Sequence, residues 1–239
     1  MRRRTVLGAV GIASIPGLSG CLGSILEDED SPGGDATNDE GYDTESQGGQ
    51  TVPLVPLEDA YEWYEADEAE FLDTRGAGQY GASHIEGAHL STAPDGVEDD
   101  PTTEWSEDTR IVTYCGCPHS LAVLRASELL ANGFENVYAL DEGYNGWTDA
   151  GYPTVGESAE SIPTYDIVGQ SSPDHEGEYV WLSTLDESQQ EISQVEADGS
   201  YELLVRFADV DEDTVLSLEA PDYALEATLG ELTSGVVDA

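Results

Sequence analysis

Fifty-one aspartates and glutamates face only seven basic residues, for a net charge of −44. Every basic residue is arginine; the chain has no lysine. Such a polyanion can close around a core only where its surface is screened. Yet 38% of the residues are hydrophobic, and the middle of the chain carries regular apolar runs. Concentrated salt reconciles the two facts. At molar ionic strength the Debye length falls to about 3 Å, so surface carboxylates hardly repel one another. The acids spread along the whole chain instead of forming one block, which argues against an acidic interaction tail. Nucleic acid is not an expected partner, because no basic patch exists to meet phosphates. With 239 residues there is room for one or two domains and a sizeable core.

The three basic residues Arg2, Arg3 and Arg4 precede an apolar run from Val6 to Leu18. That run is shorter than the roughly 20 residues of a spanning helix and has the layout of a signal peptide. The adjacent arginines resemble a twin-arginine signal, a route that exports folded chains. The run ends in Leu18-Ser19-Gly20-Cys21, which resembles the lipobox of prokaryotic lipoproteins. Residues 1–21 are therefore expected to be a signal peptide with Cys21 lipidated, anchoring the chain to the outer face of the cell membrane. Residues 22–52, rich in Asp, Glu, Gly, Ser and Thr, read as a disordered acidic linker.

The next hundred residues alternate between helical and strand patterns. Leu57–Tyr64 has apolar residues at helical spacing, with acids in its first turn. Glu70–Asp73, Ile111–Tyr114 and Val137–Leu140 read as strands, Ser120–Ala131 as an amphipathic helix ending before Gly133, and Gly143–Trp147 as the start of a short helix. This order predicts an α/β domain over 53–156, a parallel sheet flanked by helices. The informative step is strand, then Cys115-Gly116-Cys117-Pro118-His119, then helix. A helix N-terminus offers unpaired backbone N–H groups and partial positive charge, which cradle an anion and lower a thiol pKa. Cys115 is thus expected to be partly thiolate near neutrality, and a nucleophile.

Leu72-Asp73-Thr74-Arg75, then Tyr80, then Ser83-His84-Ile85-Glu86-Gly87-Ala88 resemble the rhodanese pattern. Gly133 to Tyr138 and Glu142-Gly143-Tyr144-Asn145-Gly146-Trp147 resemble its later strand and glycine turn. The whole resembles a rhodanese-like domain protein, in a haloarchaeal secreted lipoprotein. The resemblance implies that Cys115 takes sulfur from a small sulfur-containing donor, such as thiosulfate. Cys115 then holds it as a persulfide and passes the outer sulfur to a thiol or cyanide acceptor, without a cofactor. Backbone N–H groups between Gly116 and Ser120 would stabilise the sulfur anion. Asp73, Arg75 and His84 would be structural supports.

The loop departs from that pattern, which has Cys-x-x-Gly-x-Arg where this chain has Cys115 to Ser120 without the glycine and arginine. Leu121 occupies the place where the related phosphatases carry an arginine, so that activity ranks low. His119 could supply positive charge only below about pH 6.5, and Arg125 could reach back from the helix. Cys117 could pair with Cys115, resolve a persulfide on it, or simply pack the loop. Cys115, Cys117 and His119 are too few for zinc's four donors, and no metal is expected. The alternative to a sulfurtransferase is a non-catalytic binding or thiol-redox-sensing module on the cell surface, with an unidentified protein partner.

From residue 162 onward six short strands recur, separated by Asp, Gly, Ser and Pro turns. Residues 162–239 are expected to form a small all-β domain, an immunoglobulin-like sandwich, without a catalytic constellation of its own.

Overall fold

A computed structural model describes residues 38, 40–116, 119–156 and 162–238. The expected signal peptide, Cys21, most of the expected linker and Cys117 lie outside the described residues. Among the described residues no helix is long and apolar enough to cross a membrane.

The first half is a six-stranded mixed sheet. Its strands are β1 (Thr44–Gln47), β2 (Gln50–Val55), β3 (Glu70–Asp73), β5 (His89–Leu90), β6 (Arg110–Tyr114) and β7 (Asn136–Leu140). They lie in the order β1-β2-β7-β6-β3-β5. The five strands from β2 to β5 run parallel, as expected. β1 is antiparallel to β2, so the sheet is mixed and not purely parallel. β1 and the start of β2 also correct the expected linker, which ran to residue 52. Thr44–Gln47 is a polar edge strand; it pairs with β2, and Gln47 and Glu45 also bond Tyr179 and His119. A separate ribbon pairs β4 (Ser83–Ile85) with β8 (Thr154–Gly156).

Helices cover both faces. Strand residues alternate between them. In β6, Val112 and Tyr114 face a core with Phe71, Tyr144 and Trp147, which α1 (Leu57–Glu65) and α4 (Gly143–Asp149) cover. Ile111 faces the other core, with Val52, Leu72 and Val137 under α3 (Ser120–Ala131). On that side Thr113 Oγ1 donates to the Ala122 and Tyr138 carbonyls at 2.9 and 3.1 Å. The same alternation turns Cys115 toward α3, among that core's buried residues. A short helix α2 (Ala77–Ala82) follows the β3 loop.

The C-terminal region is all-β and antiparallel. β9 (Tyr165–Gln170), β10 (Tyr179–Thr184), β11 (Gln190–Gln194), β12 (Ser200–Val205), β13 (Val215–Glu219) and β14 (Ala224–Thr228) fall where the turn signals place them. They form a four-stranded sheet, β11-β10-β13-β14, and a β12-β9 pair. Ile167, Leu182, Leu203, Phe207 and Leu218 fill a core of their own. The last short helix, α5 (Leu229–Leu232), is closed by a Thr228–Glu231 capping box.

The two cores do not make two separate bodies: residues 35–239 form one compact unit. Ile192 of β11 is buried in the α3-side core, with Trp181 packed beside it. This explains why α3 is buried nearly all round, from Leu121 through Leu124 and at Ala126. It lies between the sheet on one side and β11 on the other.

Candidate active site

Cys115 directly follows β6 at its carboxyl end, where sites form in open α/β sheets. The turn is held from below. The Tyr144 N–H donates to the Cys115 carbonyl at 2.8 Å and the Asn145 N–H to the Gly116 carbonyl at 3.3 Å. Both carbonyls therefore point at α4, and the sulfur faces the first turn of α3. There the backbone N–H groups of Leu121 and Ala122 hydrogen-bond it. Both amides belong to the first turn of α3, directly after the Gly116–Ser120 stretch.

The thiol is not the expected thiolate. Cys115 is fully buried. Burial and the Glu191 carboxylate push it up to about 12, against the smaller pull of the two amides and Arg75. Three units above an ordinary thiol correspond to about 4 kcal/mol against ionisation. Desolvation plus a like charge outweighs a helix N-terminus here. Cys115 is a protonated thiol in this closed form.

Glu191 was not anticipated. It lies on β11, opposite Leu182, and is 3% exposed. Its Oε2 comes so close to Gly116 that a β-carbon there would sit 3.4 Å away. Burial pushes its carboxyl up to about 8, against the Ile192 N–H and Arg75, which lower it. No local signal marks this residue: Gln-Glu-Ile-Ser reads as any acidic strand, and only the packing of β11 over the Cys115 loop singles it out.

A cavity beside the Cys115 loop is lined by Arg75, Gly116, Tyr144, Asn145, Glu191 and Arg206, among others. Its volume is about 10 Å³, enough for one water. Arg206, just after β12, donates through Nη1 to Asn145 Oδ1. The C-terminal region, expected to carry no site residue, therefore builds one wall of the pocket. A wider open cleft borders Gly78, Asp186, Asp209 and Thr214, but it contains no nucleophilic thiol.

Asp73 and Arg75 form a buried ion pair. Arg75 holds Asp73 through Nε at 2.9 Å and Nη2 at 2.6 Å, and donates to the Ser83 carbonyl at 2.7 Å. Its guanidinium lies 4.3 Å from the Tyr144 ring centroid. Burial alone would lower its pKa, but the Asp73 carboxylate outweighs burial and raises it. His84 is a support too: Nδ1 bonds the Tyr80 carbonyl at 2.7 Å, and the two rings stack.

The remaining expected groups lie elsewhere. His119 takes a left-handed backbone at the α3 N-cap and sits between Glu45 Oε2 at 3.1 Å and Asp141 Oδ1 at 3.7 Å. Two carboxylates beside it oppose the anion-binding role expected of it. Arg125 does not reach back to the loop. It is buried against Asp100 at 3.3 Å, Ser91 Oγ at 2.9 Å and the Pro94 carbonyl at 3.1 Å. Ser120 is the first residue of α3.

A model of the rhodanese-like domain family matches residues 56–150. This stretch of the chain is thus similar to rhodanese-like domains. Three solved structures resemble part of the chain. The rhodanese-like domain of the Alr3790 protein from Anabaena is 24% identical, with a TM-score of 0.41 over 46% of this chain and 84% of that one. The BH2092 protein of Bacillus halodurans is 22% identical, with a TM-score of 0.38 over 43% and 76%. The human single-domain sulfurtransferase TSTD1 is 15% identical, with a TM-score of 0.36 over 41% and 96%.

Proposed function

We propose that the protein is a sulfurtransferase that carries sulfane sulfur as a persulfide on Cys115. One observation carries the reading: the Cys115 sulfur, at the carboxyl end of β6, accepts the Leu121 and Ala122 amides of the α3 N-terminus. Those amides are placed to hold negative charge on a transferring sulfur. The donor is a small sulfur anion such as thiosulfate, and the acceptor a thiol or cyanide. A cavity of about 10 Å³ does not admit such a donor, so loading requires β11 to draw back from Gly116.

The test is sulfur loading followed by mass spectrometry and by transfer to cyanide. The unmutated protein should gain one sulfur on Cys115 and yield thiocyanate; Cys115→Ser should do neither. Absence of transfer from thiosulfate and other common donors would sink the reading. The parallel Cys117→Ser variant reads whether that residue resolves the persulfide. The full burial of Cys115 favours a second reading, a non-catalytic or thiol-redox-sensing module, and the same assay separates the two.

The reading includes a location. An exported chain tethered by a lipid on Cys21 is supported by the Arg2 to Arg4 patch, the apolar run and the lipobox-like Leu18 to Cys21. Release of a Cys21→Ser variant from the membrane fraction would bear it out. The net charge of −44 supports a halophilic protein that folds in molar salt. The two antiparallel sheets around one core support an immunoglobulin-like sandwich for the C-terminal region.

A further inference from the structure

We propose that Glu191, supplied by the C-terminal β region, is the proton carrier for the Cys115 sulfur during sulfur transfer. The inference rests on the persulfide reading above and adds a residue to it. Its geometric basis is the burial of the Glu191 carboxyl against Gly116, in the same small cavity that the Cys115 loop borders. The other charged or titratable groups facing it there are Arg75 from the β3 loop, Tyr144 from α4 and Arg206 after β12. Arg75 is already held bidentately by Asp73, and Tyr144 shares its hydroxyl with Ser83. Tyr144 is a poor proton donor, since burial raises its pKa further. Glu191 is the one carboxyl in this set, its Oε2 held against Gly116, the residue next to Cys115.

The chemistry needs such a group. In loading, the Cys115 thiol gives its proton to the ionised fraction of Glu191, a fraction that grows as the pH approaches 8. The thiolate attacks the outer sulfur of thiosulfate, the sulfur–sulfur bond breaks, and sulfite leaves with the electron pair. The resulting persulfide anion takes a proton from solvent. In discharge, an acceptor thiolate attacks the outer sulfur, and the Cys115 sulfur leaves with the bonding pair. Glu191 returns its proton to that sulfur, and the acceptor departs as a persulfide. A thiolate held as unfavourably as this one is a poor leaving group unless it is protonated as it leaves. Glu191 keeps a proton up to about pH 8, so it can supply one at neutrality.

The discriminating experiment uses the full-length protein and Glu191→Gln, which keeps the shape and loses the titration. Two readouts are taken across pH 6–10: alkylation of Cys115 by iodoacetamide, and discharge of the preloaded persulfide onto a small thiol. Removing the carboxylate should make Cys115 alkylate about tenfold faster at pH 9 and above. It should also slow discharge at pH 7 by about tenfold or more, and erase the decline that the unmutated protein shows above about pH 8. A faster-reacting thiol with slower discharge is a combination that loosened packing does not give. Discharge by Glu191→Gln with unmutated rate and pH profile would overturn the relay. An unchanged alkylation profile would overturn the contact itself. If the unmutated protein never forms a persulfide, the sulfurtransferase reading fails and the relay with it. The alkylation profile still reports the Glu191–Cys115 coupling separately.

Discussion

Two buried pairs of ionisable groups lie side by side at the carboxyl ends of β3 and β6, and they are built on opposite principles. At the first, Asp73 and Arg75 form a two-point ion pair, and the leftover guanidinium N–H goes to the Ser83 carbonyl. Each charge stabilises the other, and the corner is a strut. At the second, Glu191 and Cys115 are both acids; burial raises both, and the Glu191 carboxylate raises Cys115 further. Such a pair disfavours carrying two negative charges at once. The same desolvated surroundings thus make one pair rigid and leave the other a store of protons near neutrality. Proximity of charged groups does not distinguish scaffold from reactive site; the signs of the charges do.

The sharpest way to break the comparison is to unbalance the strut. Arg75→Met strands a buried Asp73 and should cost about 3–5 kcal/mol, measured by denaturant unfolding. The loss should persist in molar salt, because buried charges are screened far less than exposed ones. The reactive pair should respond with the opposite sign. The Glu191 carboxyl is held up at about 8, against an ordinary 4.5. Between those values the folded protein binds more protons than the unfolded chain, so stability falls as pH rises through that window. Glu191→Gln removes the loss and should be more stable than the parent by about 2–4 kcal/mol at pH 9, with the gain vanishing near pH 4. The smallest effect belongs to a support outside both pairs. His84→Ala loses the stacking on Tyr80 and one hydrogen bond, and should cost about 1 kcal/mol. Sulfur transfer by the folded variant should stay unchanged, which a general base at that position would not permit.

Much of the architecture was legible because local patterns decide it. Ile111–Tyr114 is a continuous apolar run because both faces of β6 are covered, and Ser120–Ala131 stops where Gly133 takes positive φ. The C-terminal strands were legible from turn spacing and alternation. β1 was not, since an edge strand of Thr, Glu, Ser and Gln has no apolar face to read. Of the site, Cys115, Asp73 and Arg75 could be singled out from motif and spacing because they lie at or just past the ends of the neighbouring strands β6 and β3, and His84 because β4 follows soon after β3 in the chain. The protonation of Cys115 was not legible. It depends on Glu191 and on the closure of β11 over the loop, a contact between residues far apart in sequence. Charge on a loop can be read from the chain, but desolvation belongs to packing.

Gly76 lies where the β3 loop meets the C-terminal region. A methyl there would overlap the Ser188 carbonyl, and the neighbouring Gly78 N–H donates to that same oxygen at 2.6 Å. Gln79 Oε1 accepts from both the Gly76 and Gln190 N–H groups, each at 3.0 Å. This backbone-to-backbone approach lets β11 settle over the loop, and it has a consequence in time. During synthesis the strands and helices up to α4 emerge first, and β11 is made only later. The Glu191 carboxyl therefore reaches Gly116 only after the seam at Gly76 has closed, so this part of the site is completed last.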